Sequence, residues 1–592
     1  MGDRYCCVWP RAFLFDPWPN SPSGHSLFRK LRFAFTLLSP FAAFGIVGNA
    51  RDIYLEKFGA DAIILGTVTT VLSVYGFCND TIGGYLQDRN MLARLFPLER
   101  WGRRAPWLLT HLPICALGCC LIYVPPIDGS KEAASWSLYM WIFLCTLLAF
   151  YGGGAVVMAF EAARQEIYPY SEERILVEGC SKLGVMAGAG LGSLPVMIIQ
   201  ADASLWIRWS AVVFILPVML FSLESVGILR ESTKTSTSEK YGNVFTLLME
   251  AFRWHNSNVA LRRMSIVKFL TGVYSWTMGS LLFYYVTYCM KLTSYDRLFL
   301  SAAAGAAAAT TEGLVNLGML WFFGTGSSVS DPSGKNDRRL LHLITVSRVL
   351  NACCTIVVMG LLEPSIPIFI VWSATTRLFV GSFSFWRVAA QNWLADEDCY
   401  LGEIRGRRRQ GAIFGFLSMA QNAGGAIASN LVFIGFGMAG LKTENCEAKC
   451  NKLLSDAAAD ALSRCLDTCT QDMVQRQPES FRTYIHVLMG CFLPIVELTL
   501  AWYCFHVPLK GLRLRRLYNQ IALERKESCA PSPDALPYCP PGAVKYSVPM
   551  NSPEHSNVVS KISSATGKIS VVTTFSDAEV ATGDGKVTIM QI

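Results

Sequence analysis

Residues 79–107 read NDTIGGYLQDRNMLARLFPLERWGRRAPW. Asp80, preceded by Asn79, interrupts an apolar run that begins near residue 62. Arg100, Arg103 and Arg104 then precede a second apolar run, which opens at Pro106 and Trp107. An aspartate at the centre of a membrane helix costs roughly 2.5–3.5 kcal/mol on insertion scales, so one that persists serves a proton, a cation or an ion-pair partner. A basic segment between two apolar runs orients them in a bilayer. The stretch predicts two successive spans of a multi-pass membrane protein, with a buried acid just ahead of a cytosolic loop. A structural ion pair with another helix is the alternative reading of Asp80.

The same alternation extends through the chain. Hydrophobic residues make up 52% of the 592 and charged residues 16%, against about 25% charge in soluble domains. The net charge of +8 lies in short runs between apolar segments, which is orientation charge and not a phosphate-binding face, so no nucleic-acid partner is expected. A span needs about 20 apolar residues. Candidates fall at 33–54, 62–86, 106–126, 136–158, 181–200, 205–228, 264–290, 297–324, 340–362, 366–392, 410–439 and 485–507. Every even-numbered span is followed by a basic segment, as at Arg89–Arg104, at Arg405–Arg409 and at Lys510–Arg516. That pattern places both termini in the cytosol. The expected fold is an all-α membrane protein of twelve helices. Its parts are an N-terminal tail (1–28), a six-helix bundle (29–228), a cytosolic linker (229–263), a second six-helix bundle (264–507) and a largely disordered cytosolic tail (508–592). No cleavable signal is visible, so the first helix is expected to stay as an anchor. Cys6 and Cys7 are lipidation candidates beside the plainer reading of a free tail.

Further polar residues lie inside the spans. Glu312 and Asn316 share one helix face, either as a buried hydrogen-bonded pair or as lining of a solute pathway. Arg377 and Arg387 sit in the tenth span and each needs a partner or water. No phosphate loop, nucleophile elbow or zinc-spaced histidine cluster occurs, so an enzyme is not expected, nor any cofactor beyond a coupling ion.

The NDxxxG at the end of the second span, followed by WGRRxPW, resembles the glycoside–pentoside–hexuronide:cation symporters of the major facilitator superfamily. Residues 393–411, WLADEDCYLGEIRGRRRQG, are similar to that family's loop between its tenth and eleventh helices. The resemblance implies the twelve-helix major facilitator fold. It also implies gating roles for Asp88, Arg89, Gly102, Arg103, Asp396, Glu403 and Arg408. Asp80 would be the coupling residue, with Asn79 beside it. Lys182 would replace a fifth-helix arginine that binds sugar in the family, and Asn422 aligns with an eleventh-helix lysine of some relatives.

This sequence departs from the pattern in three places. Gly76 stands where the family carries a second acid, one turn before Asp80. Pro40 stands where it carries an acid on the first helix. Glu161, nearest to the fourth-helix acid, is out of register. Carboxylate pairs favour sodium, whereas a lone carboxylate is more readily a protonation site. The expectation therefore moves from Na+ toward H+ at Asp80, or toward no coupling ion.

Between the last two spans, residues 441–483 contain Cys446, Cys450, Cys465 and Cys469. The pattern resembles a twin CX3C hairpin, which implies bridges Cys446–Cys469 and Cys450–Cys465 on the extracytosolic side, where disulfides persist. Overall we expect a monomeric secondary transporter for a small organic solute, sugar or glycoside first, in the plasma membrane ahead of an endomembrane. The alternatives are a lysophospholipid carrier, an uncoupled facilitator, or a non-transporting scaffold or sensor.

Overall fold

The computed structural model describes residues 24–56, 58–88, 91–125, 136–168, 171–201, 204–232, 249, 253, 256, 258–292, 294–324, 335–401, 410–442, 446–453 and 459–528. Arg89, Glu403, Arg408, Cys6, Cys7, most of the linker and the tail from residue 529 onward lie outside them. All twelve candidate spans are helical. The first bundle comprises α1 (Leu27–Leu55), α2 (Ala62–Asp88), α3 (Ala105–Leu121), α4 (Trp136–Ile167), α5 (Ser171–Ala201) and α6 (Leu205–Leu229). The second comprises α7 (Val259–Cys289), α8 (Ser294–Gly324), α9 (Leu340–Leu361), α10 (Ile366–Tyr400), α11 (Gln410–Ser429, continuing to Met438) and a final span introduced below. Continuous helix is what a bilayer demands, because lipid offers the backbone no hydrogen-bond partner. Large apolar side chains face outward from the rods, as at Val213 (73% exposed), Leu314 (65%) and Val371 (65%). In water such a surface would be prohibitive; in lipid it is the solvated face.

Several helices overshoot the hydropathy limits at the predicted cytosolic end. α4 runs nine residues past 158, to Ile167, and α5 starts ten residues before 181, at Ser171. The added turns carry charges that end the apolar signal but are paired within the protein. Arg164, for example, is fully buried between Glu161 and Glu178. Charge pairing extends the helix beyond the hydrocarbon, and hydropathy alone does not register it.

The halves meet along two seams, α2 against α11 and α5 against α8. Along the first, Gly66 abuts Phe433, Thr70 Oγ1 donates to Asn430 Oδ1 at 2.6 Å, and Gly76 abuts Asn422. On α2 itself a Cβ at Gly83 would meet only open space. The small residue comes from the opposite helix: a Cβ on Gly415 would lie 2.9 Å from the Asp80 carbonyl oxygen.

Beyond α11, α12 (Cys446–Leu453) and α13 (Ala459–Gln475) form the cysteine hairpin. Cys446 is bonded to Cys469 and Cys450 to Cys465, the pairing the twin CX3C pattern implies. α14 (Glu479–Phe505) is the last span. α15 (Leu512–Ser528) opens the C-terminal region as an ordered helix. Its Leu514, Leu517 and Ile521 are buried at helical spacing, and Arg513 Nη2 donates to Glu397 Oε2 at 2.9 Å.

Candidate functional site

Asp80 sits where the halves touch. Its Oδ2 accepts from Ser418 Oγ and, at 2.9 Å, from Asn422 Nδ2, both on α11. Its Oδ1 takes only a long 3.5 Å contact from Asn79 Nδ2. Two glycines make this possible. A Cβ on Gly154 of α4 would stand 2.9 Å from Oδ1, and one on Gly76 would stand 3.3 Å from the Asn422 amide nitrogen. The residue that replaces the expected second acid thus makes room for a neutral donor. Among the described residues no cation pairs with Asp80, and no cluster of three His, Cys, Asp or Glu side chains could hold a metal ion. The arrangement suits a single carboxylate that alternates between charged and protonated forms.

Deeper into the cytosolic half of the seam lies a larger polar layer. Arg164 (α4) donates to Glu161, to Glu178 (α5) and, at 3.2 Å, to Asn392 Oδ1 (α10). Gln165 Nε2 reaches the same oxygen at 3.3 Å. Lys182 Nζ lies 3.7 Å from Glu178. Lys268 of α7, nine-tenths buried, donates to Gln421 Oε1 at 3.2 Å. Gln421 is the α11 neighbour of Asn422, so the Asp80 contact and the lysine are held by adjacent residues of one helix. Closer to the cytosol, Arg174 (α5) forks onto Asp396 (α10), Nη1 to Oδ1 at 3.1 Å and Nη2 to Oδ2 at 2.5 Å, with both side chains buried.

The remaining predicted site residues stay within one half. Asp88 accepts from Arg104 Nη2 at 2.9 Å, and Arg104 also grips Glu166 Oε1 at 2.6 Å. Arg104, and not Arg103, is the hub of the WGRRAPW loop. Burial opposes its charge, but Glu166 and Asp88 hold its pKa above the usual arginine value. Arg103 lies 3.9 Å from Glu166, and its backbone N–H donates to Ser232 Oγ at 3.0 Å. Gly102 has φ +62°, and a Cβ there would lie 2.7 Å from the Arg230 carbonyl oxygen. This loop therefore clamps α2, α3 and α4 together, while Asp396 crosses to the other half. Glu312 pairs with Arg377 at 3.2 Å inside the second bundle, on a half-exposed face. Asn316 beside them is buried, with neither amide atom hydrogen-bonded among the described residues.

Sequence reasoning passed over Lys268 and Arg51 and left Glu178 in a loop. Lys268 lies in an apolar run as Asp80 does, so the same cost argument applies to it. Arg51 of α1 sits 4.8 Å from the Trp276 ring of α7 and 5.7 Å from Phe433 of α11, a contact between halves that no spacing rule anticipates.

Residues 37–455 match the family model described as MFS/sugar transport protein. The chain belongs to this family of the major facilitator superfamily. It is a secondary transporter and not an enzyme. A bacterial homologue of the human lysosomal transporter Spinster, solved inward-facing and unoccupied, aligns with 83% of this transporter and 97% of its own chain, at 13% identity and a TM-score of 0.49. The nucleoside transporter NupG aligns over 80% and 99%, at 12% identity and a TM-score of 0.44. No curated protein matches the transporter's sequence.

Proposed function

We propose that this transporter moves a small organic solute, sugar or glycoside by its family's description, in symport with a proton taken up at Asp80, as a monomer in the plasma membrane. This is the glycoside–pentoside–hexuronide type of symport with its cation site reduced to one carboxylate. The supporting observation is the single carboxylate at the α2–α11 seam, held by Ser418 and Asn422 from the opposite half and with no second acid one turn away at Gly76. Its hydrogen-bond partners among the described residues, Asn79, Ser418 and Asn422, all donate to it, an arrangement that fits the ionised form. Hydrogen bonds to a charged group are worth about 1.5–3 kcal/mol each, roughly twice a neutral one. Protonation would weaken the two bonds to α11 and loosen that seam, coupling proton uptake to movement of one half against the other.

The test is uptake by the purified protein in liposomes under an imposed proton or sodium gradient. Asp80→Asn is expected to abolish gradient-driven accumulation while retaining solute exchange. Full accumulation by the variant, or accumulation driven by sodium alone, would overturn the assignment.

A further inference from the structure

We infer that the polar layer between α4, α5, α7 and α10 is a binding site for an anionic group, a carboxylate, sulfate or phosphate, on the transported solute. The inference deepens the transport reading and rests on it. Four cations meet in this layer: Arg164, Lys182, Lys268 and Arg387. Two carboxylates answer them: Glu161 and Glu178 both accept from Arg164, and Glu178 also lies 3.7 Å from Lys182. Lys268 is within electrostatic reach of Arg387, Lys182, Glu161 and Glu178, yet its hydrogen bond goes to a neutral acceptor, Gln421. Arg387 stacks loosely over Phe383 at 6.0 Å, and its buried Nε has no hydrogen-bond partner among the described residues.

The charges on neighbouring elements do not remove the excess. Arg348 beside Arg387 is paired with Glu497, Arg174 with Asp396, and Arg377 with Glu312. Asp80, held by Ser418 and Asn422, offsets one positive charge at most. Buried positive charge without a counter-ion is costly. A layer that keeps it, with Lys182 on one half and Lys268 and Arg387 on the other, suits an anion that both halves grip. A neutral sugar would leave Lys268 and Arg387 without an anionic partner.

Inorganic phosphate and sulfate are the probes, each against chloride at matched ionic strength, on the purified full chain in detergent. At about 20 mM either is expected to raise the thermal unfolding midpoint by about 2 °C, as a ligand that binds the folded state does. The shift should vanish in Lys268→Gln/Arg387→Gln, survive in Lys268→Arg, and survive in the surface control Lys442→Gln. Phosphate should also slow acetylation of Lys268 and Lys182 in the unmodified protein, a reading that needs no variant. An unshifted midpoint together with unprotected lysines overturns the site, as does an equal shift in the double variant. Methyl glucuronide against an oleoyl lysophosphatidate, each read by the same midpoint, separates a free solute's anion from a lipid headgroup. In liposomes, uptake of methyl glucoside with no phosphate effect overturns the anion site and spares transport. A phosphate effect with no uptake of methyl glucoside or methyl glucuronide spares the site and counts against transport.

Discussion

The Arg174–Asp396 pair is expected to hold the cytosolic side closed. The two side chains come from α5 and α10, one in each half, and meet through two parallel hydrogen bonds while almost wholly shielded from water. Any state open to the cytosol must separate them and hydrate both. Removing one partner leaves the other charge buried in the closed state, a penalty of about 3–5 kcal/mol. In the open state, where water solvates the remaining charge, the penalty is absent. At about 1.4 kcal/mol per tenfold, Arg174→Gln or Asp396→Asn should depopulate the cytosol-closed form by roughly two to three and a half decades relative to the open one. The double variant Arg174→Gln/Asp396→Asn removes both charges and should recover most of that loss, since replacing a buried pair by neutral groups is often close to neutral. Spin labels introduced as non-natural amino acids at Met91 and Arg515, both exposed on this face, would report the distance between halves. The single variants should shift the distance distribution to longer values, and the double variant should return it. Single effects that simply add in the double variant would refute the claim that these residues act as one latch.

Three further outcomes follow from particular contacts. Gly154→Ala places a Cβ 2.9 Å from Asp80 Oδ1; losing one charge-assisted bond of about 1.5 kcal/mol should cut gradient-driven accumulation roughly tenfold, and unchanged accumulation would mean Gly154 does not shape the site. Non-reducing peptide mapping should recover Cys446 linked to Cys469 and Cys450 to Cys465; Cys450→Ser/Cys465→Ser opens a 15-residue separation, worth about 3 kcal/mol to the hairpin, so proteolysis should cut residues 446–475 faster and leave the spans intact. Burial, with Arg29 beside it, pushes the His25 imidazole down from 6.5 to about 4. The unfolded chain therefore binds the extra proton first, and His25's contribution to stability is complete above pH 6.5 and lost as the pH falls toward 4. Unfolding midpoints of wild type and His25→Gln should diverge over that range, and parallel curves would exclude the effect.

How far the sequence could be read depends on what each signal measures. Hydropathy located every span, because burial in lipid needs length and apolarity and little else. It cut α5 short at residue 181, because Glu173, Arg174 and Glu178 look like a loop until their partners are known. The same blindness hid Arg348 and Glu497, buried at 1% exposure each and joined at 2.6 Å. They lie 149 residues apart, and no local rule connects them. Asp80 could be found because a lone acid in an apolar run carries its own cost. Its surroundings could not: Ser418 is an unremarkable letter, and Asn422, singled out only by its alignment with a lysine of some relatives, has no tie to Asp80 until the fold sets α11 against α2. Gly76 carries the point furthest. Read alone, it is a missing carboxylate and weakens the case for a cation site. Placed against Asn422, it is the space that lets an amide from the other half reach Asp80. A loss on one helix is thus matched by a gain on the helix facing it: where the family resemblance implies a pair of carboxylates on α2, the structure has one carboxylate bridged by hydrogen bonds to α11.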